Sequence, residues 1–412
     1  MLTHWRLQQL LPLGIFALGF LGTGAKASEI PVKPAQLESL PELKTSGESK
    51  KNSIDITIDA AEKKDLNPEP APILEEITRP KGSERISFNA EYLMWWMKGD
   101  KIAPLSTTGT TGILNDPNTS ILFGNNSYGG EMRSGARFNM DYWLSKEHNL
   151  AFEANFLFLE TQMDQINLAS PGAPLLARPF NNVSLGVPSA QVLSSPSTNA
   201  GAFTSTFDSK LWGAEGNLKH NFINGTSLIV DGLFGFRYLG LKESLDITGS
   251  SFNPLPGQVI SASTDNFKTN SDFYGGQIGA KIHLHKDRWF VNVIPKLAIG
   301  STQQSVNITG ITTFTNGSTS STAPTGFLAA DTNIGQFSKE KFSFVPELGV
   351  NLGYTFRDWI RAYAGYNVIY WSSVSRPGST IDLNVGNGQP SFSFNSTDLW
   401  LQGITLGLEL SF

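Results

Sequence analysis

The chain of 412 residues contains no cysteine. A sequence without thiols has no disulfide framework, no thiolate metal ligand and no cysteine nucleophile, and it suits passage through an oxidising compartment. Charged residues are also scarce, at 16% of the chain against roughly 25% in an ordinary soluble domain. The net charge of -5 is small and the basic residues do not cluster. Nucleic acid is therefore not expected as a partner.

Long apolar runs are also missing. A membrane-spanning helix needs about 20 apolar residues, and the longest run, Leu10–Leu21, is shorter than that. Arg6 precedes this run, and Ala25 and Ala27 form a small-residue cleavage motif after it, which is typical of a cleaved export signal over residues 1–27. An N-terminal anchor is the less favoured alternative. If the mature chain crosses a membrane, we expect a closed β-barrel, because lipid leaves open sheet edges unsatisfied.

Two further regions follow the predicted signal. Residues 28–85 are polar and rich in Pro, Glu and Lys, and they cannot bury enough apolar area to offset the entropy cost of ordering. We expect them to form a largely disordered periplasmic leader. From residue 86 to residue 412 apolar and polar residues alternate, as where Phe152 and Phe156 flank Glu153 and Asn155. This period of two predicts strands with one apolar face.

The connections between the predicted strands decide between a membrane barrel and a soluble antiparallel sandwich, which shows the same alternation. We expect about ten strands, with twelve as the alternative. Short turns follow every second strand, near residues 145–149, 221–226, 286–288 and 357–358. Longer loops, such as 163–203 and 305–340, lie between them. Short periplasmic turns alternating with long outer loops predict an all-β fold, a transmembrane antiparallel up-and-down β-barrel.

Charged residues fall on the polar face of the predicted strands, with both signs in similar numbers. That face lines the lumen of a barrel, whereas an Arg or Lys on the lipid face costs roughly 2–4 kcal/mol at the bilayer midplane. The predicted lumen-lining charges are Glu91, Arg137, Asp141, Glu153, Glu215, Lys219, Asp231, Arg237, Lys281, Lys296, Glu347 and Arg361. Aromatic residues near strand ends predict interfacial belts, with Trp371 in the outer belt and Trp289 in the inner one.

The final segment alternates almost without fault up to Phe412. This pattern resembles the C-terminal signal by which outer-membrane proteins are recognised for insertion. The expected signal residues are Trp400, Ile404, Leu406, Leu408, Leu410 and Phe412. We therefore expect the barrel assembly machinery and outer-membrane lipid as partners, and the outer membrane of a diderm bacterium as the location.

Several stretches between about residue 88 and the end combine into a specific pattern. They are Ala90–Gly99, Arg133–Phe138, Tyr142–Leu144, Leu176–Phe180, Lys210–Leu218, Phe273–Gly279, Val345–Val350 and Tyr370–Gly378. Together they resemble the planctomycete β-barrel porin family numbered seven. The resemblance implies an outer-membrane barrel with a pore function, and it brings no catalytic residues.

Enzymatic activity is not expected. The histidines of the mature chain, His148, His220, His283 and His285, all fall at the predicted periplasmic end. An omptin-like protease would need His and paired carboxylates at the outer rim, and an outer-membrane phospholipase a Ser–His pair on the lipid-facing wall. His283 and His285 point to one face of a strand, but no third metal ligand lies nearby in sequence. We therefore expect no metal and no other cofactor.

Two functions fit the predicted barrel. The first is a porin that allows passive diffusion of small polar solutes through a lumen of mixed charge. The alternative is a non-conducting structural or surface-binding barrel that acts through its long outer loops. A ten-stranded barrel is narrow enough for side chains to fill, and Leu93, Arg137 and Tyr363 are bulky candidates for the interior. The sequence does not predict the solute or the oligomeric state.

Overall fold

The computed structural model describes residues 85–196, 198–252 and 259–412. The predicted export signal, with Ala25 and Ala27, lies outside the described residues, as does the predicted leader apart from Arg85. The division of the chain into signal, leader and barrel therefore stays a prediction.

Ten long antiparallel strands form one sheet that closes on itself. In chain order they are β1 (Ile86–Met97), β2 (Arg133–Trp143), β3 (Leu150–Ser170), β4 (Ala200–Asn224), β5 (Leu228–Phe252), β6 (Val259–Lys286), β7 (Trp289–Asn316), β8 (Gly335–Arg357), β9 (Ile360–Ser375) and β10 (Ser396–Ser411). Each strand pairs with its neighbours in sequence, and β1 pairs with β10 from Ser87 opposite Ser411 to Met97 opposite Leu401. The predicted all-β up-and-down barrel is confirmed, with ten strands.

The two ends of the barrel differ, as the spacing of the strands predicts. One end carries the short connections 144–149, 225–227, 287–288 and 358–359. The other end carries the long connections 98–132, 171–199, 317–334 and 376–395. The strands run further than the sequence indicates, because β3 reaches Ser170 and β7 reaches Asn316. Much of each predicted loop is therefore strand. Outside the bilayer the outward face no longer needs apolar residues, so polar sequences continue the hydrogen-bonded ladder.

The long connections contain short strands of their own. These are Asp100–Ile102, Ser106–Gly109, Thr119–Phe123, Asn126–Tyr128, Leu176–Asn182, Val187–Ser194, Thr319–Ala323 and Asn384–Val385, together with a 3₁₀ turn at Pro377–Thr380. The strand at Leu176–Asn182 pairs with Val187–Ser194 on one side and contacts Ser106–Gly109 and Asn384–Val385 on the other. Three of the connections are thereby joined into one small sheet at this end of the barrel.

The outward face of the ten strands is an apolar band. Phe156, Phe234 and Leu352 are among its exposed residues. On β1 the band extends from Ile86 to Trp96, and ten steps of about 3.3 Å along a tilted strand give a height of about 25 Å. Trp371 is a correction to the predicted outer belt, since it is fully buried inside the barrel. Alternation alone could not separate Trp371 from its neighbour Tyr370, because both are aromatic.

No helix in the described part of the chain combines the length and the apolar character needed to cross a membrane.

Candidate functional site

The lumen is the candidate site, and its central layer is a network of buried charges. Arg237 donates to Glu215 at 2.5 Å and also contacts Glu347, while Lys296 donates to Glu215 at 2.7 Å. Arg137 lies 3.1 Å from Glu347. These residues come from five different strands, and inward alternation brings them together at one height. Each charge has a partner of opposite sign, which is the condition for burying it at tolerable cost.

A second set of charges lies nearer the short turns. Lys219 pairs with Asp141 at 3.0 Å and lies 4.5 Å from the centre of the Trp143 ring. Lys281 contacts Glu153, whose side chain is fully buried. In the same region Arg361 lies 3.5 Å from Glu409, Asp231 accepts a hydrogen bond from Asn221 at 2.6 Å, and Glu91 accepts one from Tyr363 at 2.6 Å.

All the charges predicted to line the lumen therefore lie on the inner face and have polar partners there. What sequence reasoning did not provide is the pairing itself. Arg137 and Glu347, for instance, are far apart in sequence and on non-adjacent strands, so they meet only across the lumen. Whether these residues act as a site remains a prediction.

A small polar cavity of about 120 Å³ remains at this end of the lumen. Its lining includes Asn139, Asn155, Asn292 and Asn351 besides the charged residues. The Oδ1 atoms of Asn155 and Asn351 are buried without a protein partner. Water occupies about 30 Å³ per molecule in the liquid, so the cavity suits a few water molecules that would satisfy these atoms.

An apolar layer crosses the lumen above the charged network. Leu93, Trp95, Met97, Phe273 and Trp371 lie in it, each no more than 1% exposed. The rest of the layer comprises Leu157, Leu159, Leu211, Leu239, Leu241, Ala298, Val345, Ile369, Val374, Leu399 and Leu401. Residues from nine of the ten strands contribute, all except β2, so the layer spans the cross-section of the barrel.

The two indole rings of this layer are held in place. Trp95 donates from Nε1 to Thr405 at 3.3 Å, and Trp371 donates from Nε1 to Thr302 at 2.9 Å. A glycine on the facing strand makes room for the first ring, because a Cβ at Gly403 would lie 2.6 Å from Cδ1 of Trp95. Buried Trp N–H groups usually need such partners. The layer is therefore packed and hydrogen-bonded rather than loosely filled.

The next layer outward in the lumen, above the outer aromatic belt, is formed around Arg376 of the last long connection. We call it the Arg376 layer. Arg376 donates two hydrogen bonds to the carboxylate of Glu243, at 2.8 and 2.6 Å, and a third to the backbone oxygen of Lys98. Asp100 accepts a hydrogen bond from the N–H of Gly378 at 2.6 Å. Burial raises the pKa of Asp100 to about 7, against the opposing effect of Arg376. These residues tie two long connections to the barrel wall.

The outermost layer is built by the long connections and the barrel wall together. Ile102, Leu105, Leu176 and Leu328 from the connections pack against wall residues such as Phe267. A second ion pair joins them, with Arg178 at 2.5 Å from Asp265. The other oxygen of Asp265 accepts backbone N–H groups from Phe327, Leu328 and Ala329, at 2.7, 2.9 and 2.8 Å. We call this layer, together with the small sheet formed by the connections, the outer cap.

Sequence reasoning missed the residues that hold the Arg376 layer and the outer cap. Arg376 lies in a stretch singled out by resemblance, Tyr370–Gly378, but nothing in its charge or spacing indicates a buried partner. Arg178 and Asp265 are equally ordinary in sequence. An arginine in a loop rich in Ser and Gly is normally solvated, and only the folded connections show that it is buried.

The histidines lie near the short turns. The ring centres of His283 and His285 are 5.5 Å apart, and His283 contacts Asn292. Within the described residues no group of three or more His, Cys, Asp and Glu side chains is placed to hold a metal ion. The expectation that the chain needs no metal stays a prediction.

The matches to known proteins cover almost the whole barrel. The family model described as "Putative beta barrel porin-7" matches residues 88–412. No curated protein matches the chain. Among solved structures, similar folds include the outer membrane protease OmpT from Escherichia coli, with 9% identity, TM-score 0.41, and coverage of 80% of this chain and 97% of that one. A FadL homologue from Pseudomonas aeruginosa shows 8% identity and TM-score 0.22, with coverage of 80% and 90%. The toluene transporter TodX from Pseudomonas putida shows 8% identity and TM-score 0.20, with coverage of 80% and 90%. At these values the structural likenesses carry no argument about function.

Proposed function

We propose that this chain, which belongs to the "Putative beta barrel porin-7" family, is a barrel whose lumen is closed to polar solutes and whose outer cap carries a structural or surface-binding role. Its place as an outer-membrane β-barrel follows from the family.

The apolar layer is the observation that carries this proposal. A polar solute moving along the lumen would have to pass Trp95, Phe273 and Trp371, which are fully buried and packed against one another. The solute would lose its hydration there without gaining hydrogen bonds, which costs several kcal/mol for each polar group. Displacing an indole would also break its hydrogen bond to Thr405 or Thr302.

Passive diffusion of small polar solutes is the competing proposal. The charged part of the lumen near the short turns and its cavity of about 120 Å³ favour diffusion, because they offer polar contacts to an entering molecule. Diffusion through the whole barrel would require both the apolar layer and the outer cap to move aside. Two closures in series make this the weaker of the two proposals.

Conductance across a planar bilayer tests the closed lumen. We expect no open-channel steps from the refolded wild-type protein. Combining Trp95→Ala and Trp371→Ala with Arg178→Ala should give reproducible steps, because these changes remove the two largest side chains of the apolar layer and the ion pair to Asp265 that holds the outer cap. The matched control combines Trp96→Ala and Trp400→Ala on the outer face with Arg178→Ala, which leaves the apolar layer intact and should stay silent. Steps from the wild-type protein would contradict the proposal, provided that unheated gel mobility shows all three proteins folded.

We further propose that the chain is not an enzyme and that residues 28–85 remain in the periplasm after removal of residues 1–27. Hydrolysis of peptide or phospholipid substrates by the purified barrel, lost on His220→Ala or His283→Ala, would contradict the first part. N-terminal sequencing of the exported protein tests the second, with Ser28 expected as the first residue.

A further inference from the structure

Two lysines face each other on the outer wall of the barrel. Lys210 of β4 is directly opposite Lys242 of β5, and both side chains are exposed on the outward face. Directly opposite residues in an antiparallel pair have Cβ atoms about 5 Å apart, and like charges in this arrangement are destabilising. An anion between the two ammonium groups would relieve this repulsion.

Neither lysine has an ion pair among the described residues. Lys98, at the start of the first long connection, differs from them because it pairs with Asp398 at 2.6 Å. On β6, Asp272 lies two residues from Asn270, which is opposite Lys242, and it accepts hydrogen bonds from Tyr238, at 2.7 Å, and from Asn270. Lys210 interacts electrostatically with Asp208, but in the part of the chain that the structure describes no carboxylate forms an ion pair with either ammonium group.

The surroundings place these charges at the level of lipid headgroups. Trp212 lies one outward position below Lys210, and the Nζ atom of Lys242 is 5.2 Å from the centre of its ring. Tyr238 and Tyr274 lie further down, with ring centres 5.2 Å apart. Aromatic residues of this kind mark the interface between hydrocarbon and headgroups. The lysines therefore project where the phosphate of an outer-leaflet lipid would lie.

We propose that Lys210 and Lys242, above Trp212, form a binding site for the phosphomonoester headgroup of a membrane lipid. A phosphomonoester carries a charge of about −1.5 to −2 at pH 7, which matches two ammonium groups better than the single charge of a phosphodiester does. Its acyl chains would lie along the apolar band below Trp212. Two carboxylates lie near the site and weaken it. Asp208 precedes Lys210 by two residues on the same face of β4, and Glu160 is exposed on β3 at the bulge opposite Lys210.

Native mass spectrometry of the detergent-solubilised barrel with added lipid tests the site. We expect the wild-type protein to retain phosphatidic acid, a phosphomonoester, in preference to phosphatidylglycerol or phosphatidylcholine. Each lysine near a membrane surface contributes about 1 kcal/mol, or a factor of about five, so K210Q/K242Q should retain phosphatidic acid about 25-fold more weakly. Asp208→Asn should strengthen retention. Lys146→Gln, an exposed turn lysine at the other end of the barrel, is the matched control and should have no effect.

The outcomes separate the proposal from its alternatives. Equal retention of phosphatidic acid by K210Q/K242Q and the wild-type protein would overturn the site. Equal retention of phosphatidylglycerol and phosphatidic acid would overturn the phosphomonoester assignment. Glycerol 3-phosphate has the same headgroup charge without acyl chains, and displacement of the lipid by an equal concentration of it would overturn the membrane source. Because the variants lie outside the lumen, none of these results depends on whether the barrel conducts.

Discussion

Buried charge is the main feature of the barrel at the scale of single residues. Alternation in the sequence predicts that Glu215, Arg237 and Glu347 face inward, and the structure places all three in one network. The partners could not be predicted, because pairing across the lumen depends on the barrel circumference and on strand stagger. The same holds for Arg376 and Glu243, since no local pattern links a loop arginine to a strand carboxylate.

Arg237→Met tests the importance of the charged network. The variant keeps much of the side-chain volume but leaves Glu215 and Glu347 with one cationic partner each, so we expect the free energy of unfolding to fall by about 3 kcal/mol. Urea titration of the barrel in lipid vesicles, followed by tryptophan fluorescence, measures this. Arg288→Met, in an exposed turn, is the control and should change little. Equal stability of the two variants would show that the network contributes nothing.

Because its carboxyl group is buried, Asp100 should make the stability of the folded protein depend on pH. Burial raises its pKa in the folded protein from 3.8 to about 7. The folded state therefore binds a proton that the unfolded state releases, and the resulting stabilisation is fully present below about pH 4 and is lost as the pH rises through about 7. Asp100→Asn keeps an oxygen that can accept from Gly378 and removes the titration. We expect the thermal midpoint of the wild-type protein to fall between pH 5 and 8 by more than that of the variant. Parallel pH profiles would contradict this.

At the scale of strands, the sequence predicts which elements exist better than where they end. Ten strands and the alternation of short and long connections follow from period-two patterning and turn residues. The outer ends of β3 and β7 do not, because Ser, Thr and Asn residues beyond the bilayer fit a loop as well as a strand with two polar faces. Trp371 shows a related limit, because an aromatic residue suits both the interfacial belt and the packed lumen.

The face assignment of β3 can be tested with neighbouring residues. Phe156 is 45% exposed on the lipid face, whereas Asn155 is 5% exposed and lines the polar cavity. We expect Phe156→Arg to lower the free energy of unfolding by about 2–4 kcal/mol, since the guanidinium would lie in hydrocarbon. Asn155→Arg should be tolerated better, because carboxylates line the same cavity. The yield of folded protein on unheated gels and urea titration measure both. Equal losses would show that the faces are wrongly assigned.

At the scale of the whole molecule, the barrel is a stack of layers closed by its own connections. From the short turns outward, a charged layer is followed by an apolar layer, by the Arg376 layer and by the outer cap. Closure of β1 on β10 leaves no open sheet edge in lipid. The sequence predicts the closed barrel, but not that the connections fold inward, because inward folding depends on contacts between distant loops such as that between Arg178 and Asp265.

Thiol accessibility tests the closed lumen most directly, because a chain without cysteine gives labelling at a single introduced site. Asn292→Cys lies in the cavity near the short turns, and Thr110→Cys is exposed in the first long connection. Each variant is reconstituted into liposomes and treated from outside with a charged, membrane-impermeant thiol reagent. If the lumen is closed, each cysteine reacts only in the molecules that turn its own end outward, so the two labelled fractions add up to the whole population. Complete labelling of both variants would mean that the reagent passes through the barrel, and it would contradict the closed lumen.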